Sequence, residues 1–172
     1  MSRPKASVIM GIDPGTLVTG YGVINTGDGG GFVALDFGCI RPPASLKLSD
    51  RYLIIFECME ELLDKHKPDA LVVETQFVNK NPQSAIKLGM ARGTVLLAAR
   101  RKGVAIFEYA PTKAKQAVVG NGRASKIQVQ AMTQIVLGLK CMPEPSDAAD
   151  ALALAICHAH AAPKNLSWGV EI

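Results

Sequence analysis

The sequence predicts an α/β domain built on a five-stranded mixed sheet with helices on both faces, and three observations carry that reading. The first forty residues hold three apolar runs punctuated by turn residues. Helical periodicity sets in at residue 48. Two further short apolar runs then lie between helical segments, as buried strands do in alternating β and α order.

Residues 7–12 form an apolar run that ends in Asp13-Pro14-Gly15. Residues 18–25 and 32–40 alternate on either side of the glycine-rich turn at 27–31, which makes three consecutive antiparallel strands. Over residues 48–66, Tyr52, Ile55, Phe56, Met59, Leu62 and Leu63 fall on one face and Glu57, Glu60, Glu61 and Asp64 on the other. This is an amphipathic helix stopped before Pro68. Residues 70–73 read as a buried strand ending at Glu74. Asn81 then caps a second helix, with Pro82 in its first turn and Gly103 beyond its end near Arg101. Ala85, Gly89 and Gly93 recur every four residues along it, so that face either lies flat on the sheet or meets a second subunit. Residues 104–109 give the fifth strand. A short helix over 112–118, a Gly120-Asn121-Gly122 turn, a helix over 125–137 and a last helix over 147–162 complete the order.

A length of 172 residues suits a single domain, with its core over about 7–162 and a loose tail over 163–172. No stretch approaches a membrane span, and the N-terminal segment has no cleavable-signal pattern, so a soluble cytoplasmic protein is expected. Cys39, Cys58, Cys141 and Cys157 are widely spaced and read as reduced, buried thiols. Cys157-His158-Ala159-His160 does not suit zinc, because consecutive helical residues fan around the axis; His158 and His160 read instead as helix-end residues favoured there when protonated.

The net charge is only +4, but its distribution is uneven. Between Thr75 and Pro143 there are eleven Lys or Arg residues and a single acid, Glu108. Such a segment is either a solvated face or a surface for a polyanion, where each cation near a phosphate releases counterions. Its candidate nucleic-acid contacts are Lys80, Lys87, Arg92, Lys115, Arg123 and Lys126.

Acids come to the opposite purpose. Asp13 ends the first strand, Glu74 ends the fourth, and Asp147 and Asp150 lie three apart in the first turn of the last helix, on one face. Each alone has an ordinary explanation as turn former, strand-end acid or helix N-terminal charge. Together they put acids from three segments at the carboxyl end of a sheet, where ligands of open α/β sheets bind. Four carboxylates in one pocket raise each other's pKa unless a cation neutralises them. Hard oxygen donors select Mg2+, or Mn2+ in its place, and two such ions suit phosphodiester hydrolysis.

Several of these segments resemble the RuvC Holliday-junction resolvases, from Ile9 to about His160. They are Gly-Ile-Asp-Pro-Gly-Thr with Thr19-Gly20-Tyr21-Gly22-Val23, Val73-Glu74-Thr75-Gln76-Phe77, Ser84-Ala85-Ile86-Lys87-Leu88-Gly89 with Ala91-Arg92-Gly93, Lys115-Gln116-Ala117-Val118-Val119-Gly120, and Asp147-Ala148-Ala149-Asp150-Ala151-Leu152-Ala153. The resemblance implies a ribonuclease H-like fold, a homodimer, cooperation with a branch-migration complex, and paired nicks across four-way junction DNA during recombination and repair. It implies that Asp13, Glu74, Asp147 and Asp150 are the metal-binding catalytic acids. It further implies that Phe77 stacks on a branch-point base and that Lys115 and Lys126 stand near the scissile phosphate. Rival readings are a YqgF-like RNA-processing nuclease, against which the paired Asp147 and Asp150 and the Glu74-x-x-Phe77 spacing argue, and a non-catalytic junction-binding module, which needs a missing carboxylate. Actin-like ATPases need a duplicated domain for which this chain has no room.

Overall fold

The structure is a computed structural model that describes residues 7–27, 31–75, 81–161 and 169–172. Its sheet runs in the order β3-β2-β1-β4-β5-β6. Strands β1 (Ser7–Asp13), β2 (Thr19–Thr26) and β3 (Phe32–Ile40) form the antiparallel meander. Helix α1 (Leu48–His66) crosses over to β4 (Ala70–Glu74), which lies parallel to β1; α2 (Pro82–Arg101) crosses to β5 (Ala105–Tyr109), parallel to β4. Helices α3 (Pro111–Val119), α4 (Lys126–Leu137) and α5 (Ser146–Ala161) follow.

The strand pleat sorts the core into two layers. Met10, Ile12, Leu71, Val73 and Ile106 point to one face, where Ile55, Met59 and Leu63 of α1 and Val95, Ala98 and Ala99 of α2 cover them. Ile9, Ile24 and Val72 point to the other, against α5. Apart from the half-buried Asp150, helix α5 is buried from Ala148 to Ala159, because the sheet lies on one side of it and α3 and α4 on the other. Local chemistry fixes the ends of these helices. Asn81 accepts hydrogen bonds from the Gln83 and Ser84 amides at 3.1 and 3.3 Å, Ser125 and Gln128 form a reciprocal capping box, and Gly120 and Gly138 end α3 and α4 in left-handed conformation.

The sheet has six strands rather than five. Within the segment expected to be a loose tail, β6 (Gly169–Glu171) pairs antiparallel with β5, and the Ile172 amide donates to the Ile106 carbonyl at 3.0 Å. A three-residue strand is too short to show an alternation, and its glycine, a residue depleted in strands, stands where a Cβ would overlap the Tyr109 ring. The small-residue face of α2 does not lie on the sheet: Gly89 and Gly93 have open space where a Cβ would stand. Of the four thiols only Cys157 is buried; Cys39 and Cys58 are half-buried and Cys141 is exposed. Apart from the added edge strand, the arrangement is the ribonuclease H-like fold.

Candidate active site

Side-chain parity brings the acids to one face. Asp13 stands two residues after Gly11 and Glu74 two after Val72, so both point to the α5 side, and the parallel pairing of Ile12 with Val73 leaves them at the same edge of the sheet. Helix α5 begins over that edge. A cavity of about 250 Å3 opens there, lined by Asp13, Glu74 and Asp150, by Lys115 of α3 and Lys126 of α4, and by Pro111, Ala114, Val129 and Ala153. Asp147 does not line the cavity, yet its charge acts on Asp13, Asp150 and Lys126.

Burial and mutual repulsion dominate the electrostatics. Asp13 is pushed up to about 7, first by burial and then by the charges of Asp150, Glu74 and Asp147, with Lys126 opposing. Glu74 is raised by burial and by Asp150, against Lys115 and Lys126. Asp150 is raised by burial, although Lys126, whose Nζ lies 3.4 Å from its Oδ2, works the other way. That contact raises Lys126 in turn.

A group of acids held this far from their solution behaviour suits a bound cation, and the all-oxygen donor set suits a hard one. Among the described residues, however, no three carboxylate, histidine or cysteine side chains stand in a ready-made ligand arrangement. The charge balance is the weightier of the two observations. Carboxylate side chains turn at little cost, whereas burying several acids against one another is a property of the fold itself. The residues present therefore fit a divalent ion, with rotation of the carboxylates needed to close around it.

Two polar contacts that the sequence did not point to fix the loop after Asp13. The Thr19 hydroxyl accepts from the Gly15 amide at 3.2 Å and donates to the Gly15 carbonyl at 2.9 Å. Arg51 of α1 donates to the Thr16 carbonyl at 3.3 Å. A threonine four residues from its partner is a local signal that could have been read; Arg51, on a different element, gives none.

Among the described residues, the other basic candidates, Lys87, Arg92 and Arg123, do not line the cavity. Lys87 and Arg123 are exposed on α2 and on the turn before α4. Arg92 points to the sheet and donates to Glu108 at 2.6 Å, so the one acid in the basic segment neutralises it. Phe77 and Lys80 lie outside the described residues. His158 is no exposed helix-end residue: it is buried, its Nδ1 lies 2.9 Å from the Tyr109 hydroxyl, and burial holds it below its ordinary pKa.

Comparison with known proteins agrees with this geometry. The family model for the crossover junction endodeoxyribonuclease RuvC matches residues 9–158. The crossover junction endodeoxyribonuclease RuvC of Protochlamydia amoebophila is 61% identical over 152 residues, covering 88% of this chain and 90% of that one. The Thermus thermophilus RuvC structure superposes with a TM-score of 0.86 at 35% identity, over 96% of this chain and 99% of its own. T. thermophilus RuvC in complex with a Holliday junction substrate gives 0.85 at 34% identity, over 95% and 99%. With the match spanning nearly the whole ordered sheet and every helix, the chain belongs to the RuvC family of crossover junction endodeoxyribonucleases.

Proposed function

We propose that this chain resolves four-way DNA junctions by paired, magnesium-dependent hydrolysis of phosphodiester bonds, with Asp13, Glu74, Asp147 and Asp150 as its metal-binding catalytic acids. The observation that carries the reading is the cavity in which half-buried acids from β1, β4 and α5 meet lysines from α3 and α4. Magnesium, or manganese in its place and as two ions, supplies the activated water and the charge stabilisation at the leaving oxygen. The protein's own groups do the rest. Lys115 and Lys126 hold the non-bridging oxygens of the scissile phosphate, and Lys126 is freed for this when Asp150 finds a cation other than its ammonium. The clasp of Thr19 and Arg51 on the loop after β1 keeps Asp13 at a fixed depth. Pro111, Ala114, Val129 and Ala153 give the cavity walls that limit water.

Phe77 and Lys80, just after Glu74, are assigned to the branch point, and Lys87 and Arg123 to the flanking phosphates. Arg92 keeps this assignment only if DNA draws it from Glu108. The working unit is a homodimer, since a four-way junction has two-fold symmetry. Helix α2 supports this with an uncovered stripe of Ile86, Met90 and Leu97, exposed by 63%, 52% and 67%, beside the open Gly89 and Gly93. A single domain, a cytoplasmic location and docking to a branch-migration complex complete the proposal; no helix among the described residues is long and apolar enough to cross a membrane.

The test is a labelled four-way junction beside a linear duplex of the same sequence, with Mg2+ and then with chelator. Paired, Mg2+-dependent nicks in the junction alone support the proposal. Equal cutting of the duplex or of RNA overturns it, as does no cleavage by folded protein.

A further inference from the structure

The acidic cavity depends on how close the first turn of α5 lies to the sheet, and the strands beneath show what sets that distance. Gly20 is the cross-strand partner of Asp13, so the two positions face the same side. A Cβ on Gly20 would stand far inside contact distance of the carbonyl of Asp147, and 3.0 Å from the Asp147 Cβ. The carbonyl is backbone and cannot rotate away. Further along the helix, a Cβ on Gly11 would overlap the Ala151 carbonyl and lie 2.9 Å from the Ala155 amide nitrogen, and one on Gly22 would lie 2.6 Å from Leu152 Cγ. Gly11 and Gly22 are themselves cross-strand partners, so the β1–β2 ladder presents a floor without side chains to successive turns of α5.

We infer that Gly20 is a positioning residue for the acidic site: its missing side chain seats the first turn of α5 on the sheet and thereby sets the reach from Asp147 and Asp150 to Asp13. This rests on the metal-binding reading of those acids. A methyl at position 20 must lift that turn by about 1 Å to regain contact distance. Helix α5 is covered by α3 and α4 on its other side, so the lift becomes a tilt that carries Asp147 away from Asp13. Metal–ligand distances hold to within about 0.2 Å, so a tilt of this size weakens ion binding before it unfolds anything. Gly11 and Gly22 lie under the middle of the helix, where the same addition acts on its docking as a whole.

The experiment measures Mn2+ binding calorimetrically on the full chain without DNA, together with the Mn2+-induced rise in Tm. The proteins are wild type, Gly20→Ala, Gly22→Ala, Asp147→Glu and the double variant Gly20→Ala/Asp147→Glu. Gly20→Ala is expected to fold and to bind Mn2+ roughly tenfold or more weakly. Asp147→Glu weakens binding in the wild-type background but restores part of it beside Gly20→Ala, because the longer side chain spans the added distance. Gly22→Ala lowers Tm while its folded form binds Mn2+ like wild type. The inference is overturned by wild-type affinity in Gly20→Ala, by an equal loss in Gly22→Ala, by no recovery in the double variant, or by a Gly20→Ala chain that does not fold. Wild-type protein that binds no Mn2+ removes the metal-site reading itself, and the inference with it.

Discussion

Asp13 has a carboxyl that the fold holds near neutrality, and the cost of ionising it is carried by the native state. Asp13→Asn keeps the shape and removes the charge. Cleavage should be abolished while junction binding persists, because the basic residues that hold DNA are untouched. In chelator at pH 8 the same variant should melt above wild type by roughly 10 °C, since a displacement from 3.8 to about 7 represents a few kcal/mol at that pH. Thermal unfolding by circular dichroism checks this, and an unchanged or lower Tm counts against it. At this scale the sequence was informative for the acids, whose positions at strand ends and in one helical turn follow from periodicity. It was less so for the bases. Arg92 looks like any other cation of its segment until β5 sets Glu108 beside it, and His158 looks like a helix-end residue until Tyr109 and Phe107 enclose it. Both depend on neighbours brought from other elements, which no local pattern encodes.

Helix α4 begins with Ser125 as its cap and Lys126 as its first residue, so the capping box also places a lysine of the cavity. Ser125→Ala should cost about 1 kcal/mol and lower Tm by roughly 3 °C. It should lower the cleavage rate by more than the loss of folded protein explains, measured as single-turnover rate against the folded fraction. Helix α2 carries a different consequence. A charge in its uncovered stripe, as in Met90→Glu, should leave Tm within about 1 °C of wild type in the monomeric state, because the residue is exposed. It should also shift light scattering from dimer to monomer at micromolar protein; a dimer that survives places the interface elsewhere. Five strands and five helices were legible from apolar periodicity, caps and glycine stops. The sixth strand was not, since its pairing with β5 rather than its own three residues makes it one.

The molecule as a whole carries a stability cost that depends on pH. Asp13, Glu74 and Asp150 all have folded-state pKa values above their ordinary ones, so between about 4 and 7 the native state binds protons that the unfolded chain has released. The stability these three acids contribute in chelator is therefore fully present below the ordinary carboxylate range and is lost as pH rises toward 7. Saturating Mg2+ should flatten the decline, and unfolding midpoints in urea across that range, with and without the ion, check both statements. An apo midpoint that rises with pH through this range contradicts them. The burial of α5 has a further consequence in time. The β1–β2 floor is among the first structure to leave the ribosome, but the helix that lies on it is separated from it by the whole middle of the chain. Contacts of such long sequence separation form late and slowly. Asp147 and Asp150 therefore reach Asp13 only when this helix docks, and a nascent or half-folded chain has no assembled acidic centre with which to nick DNA.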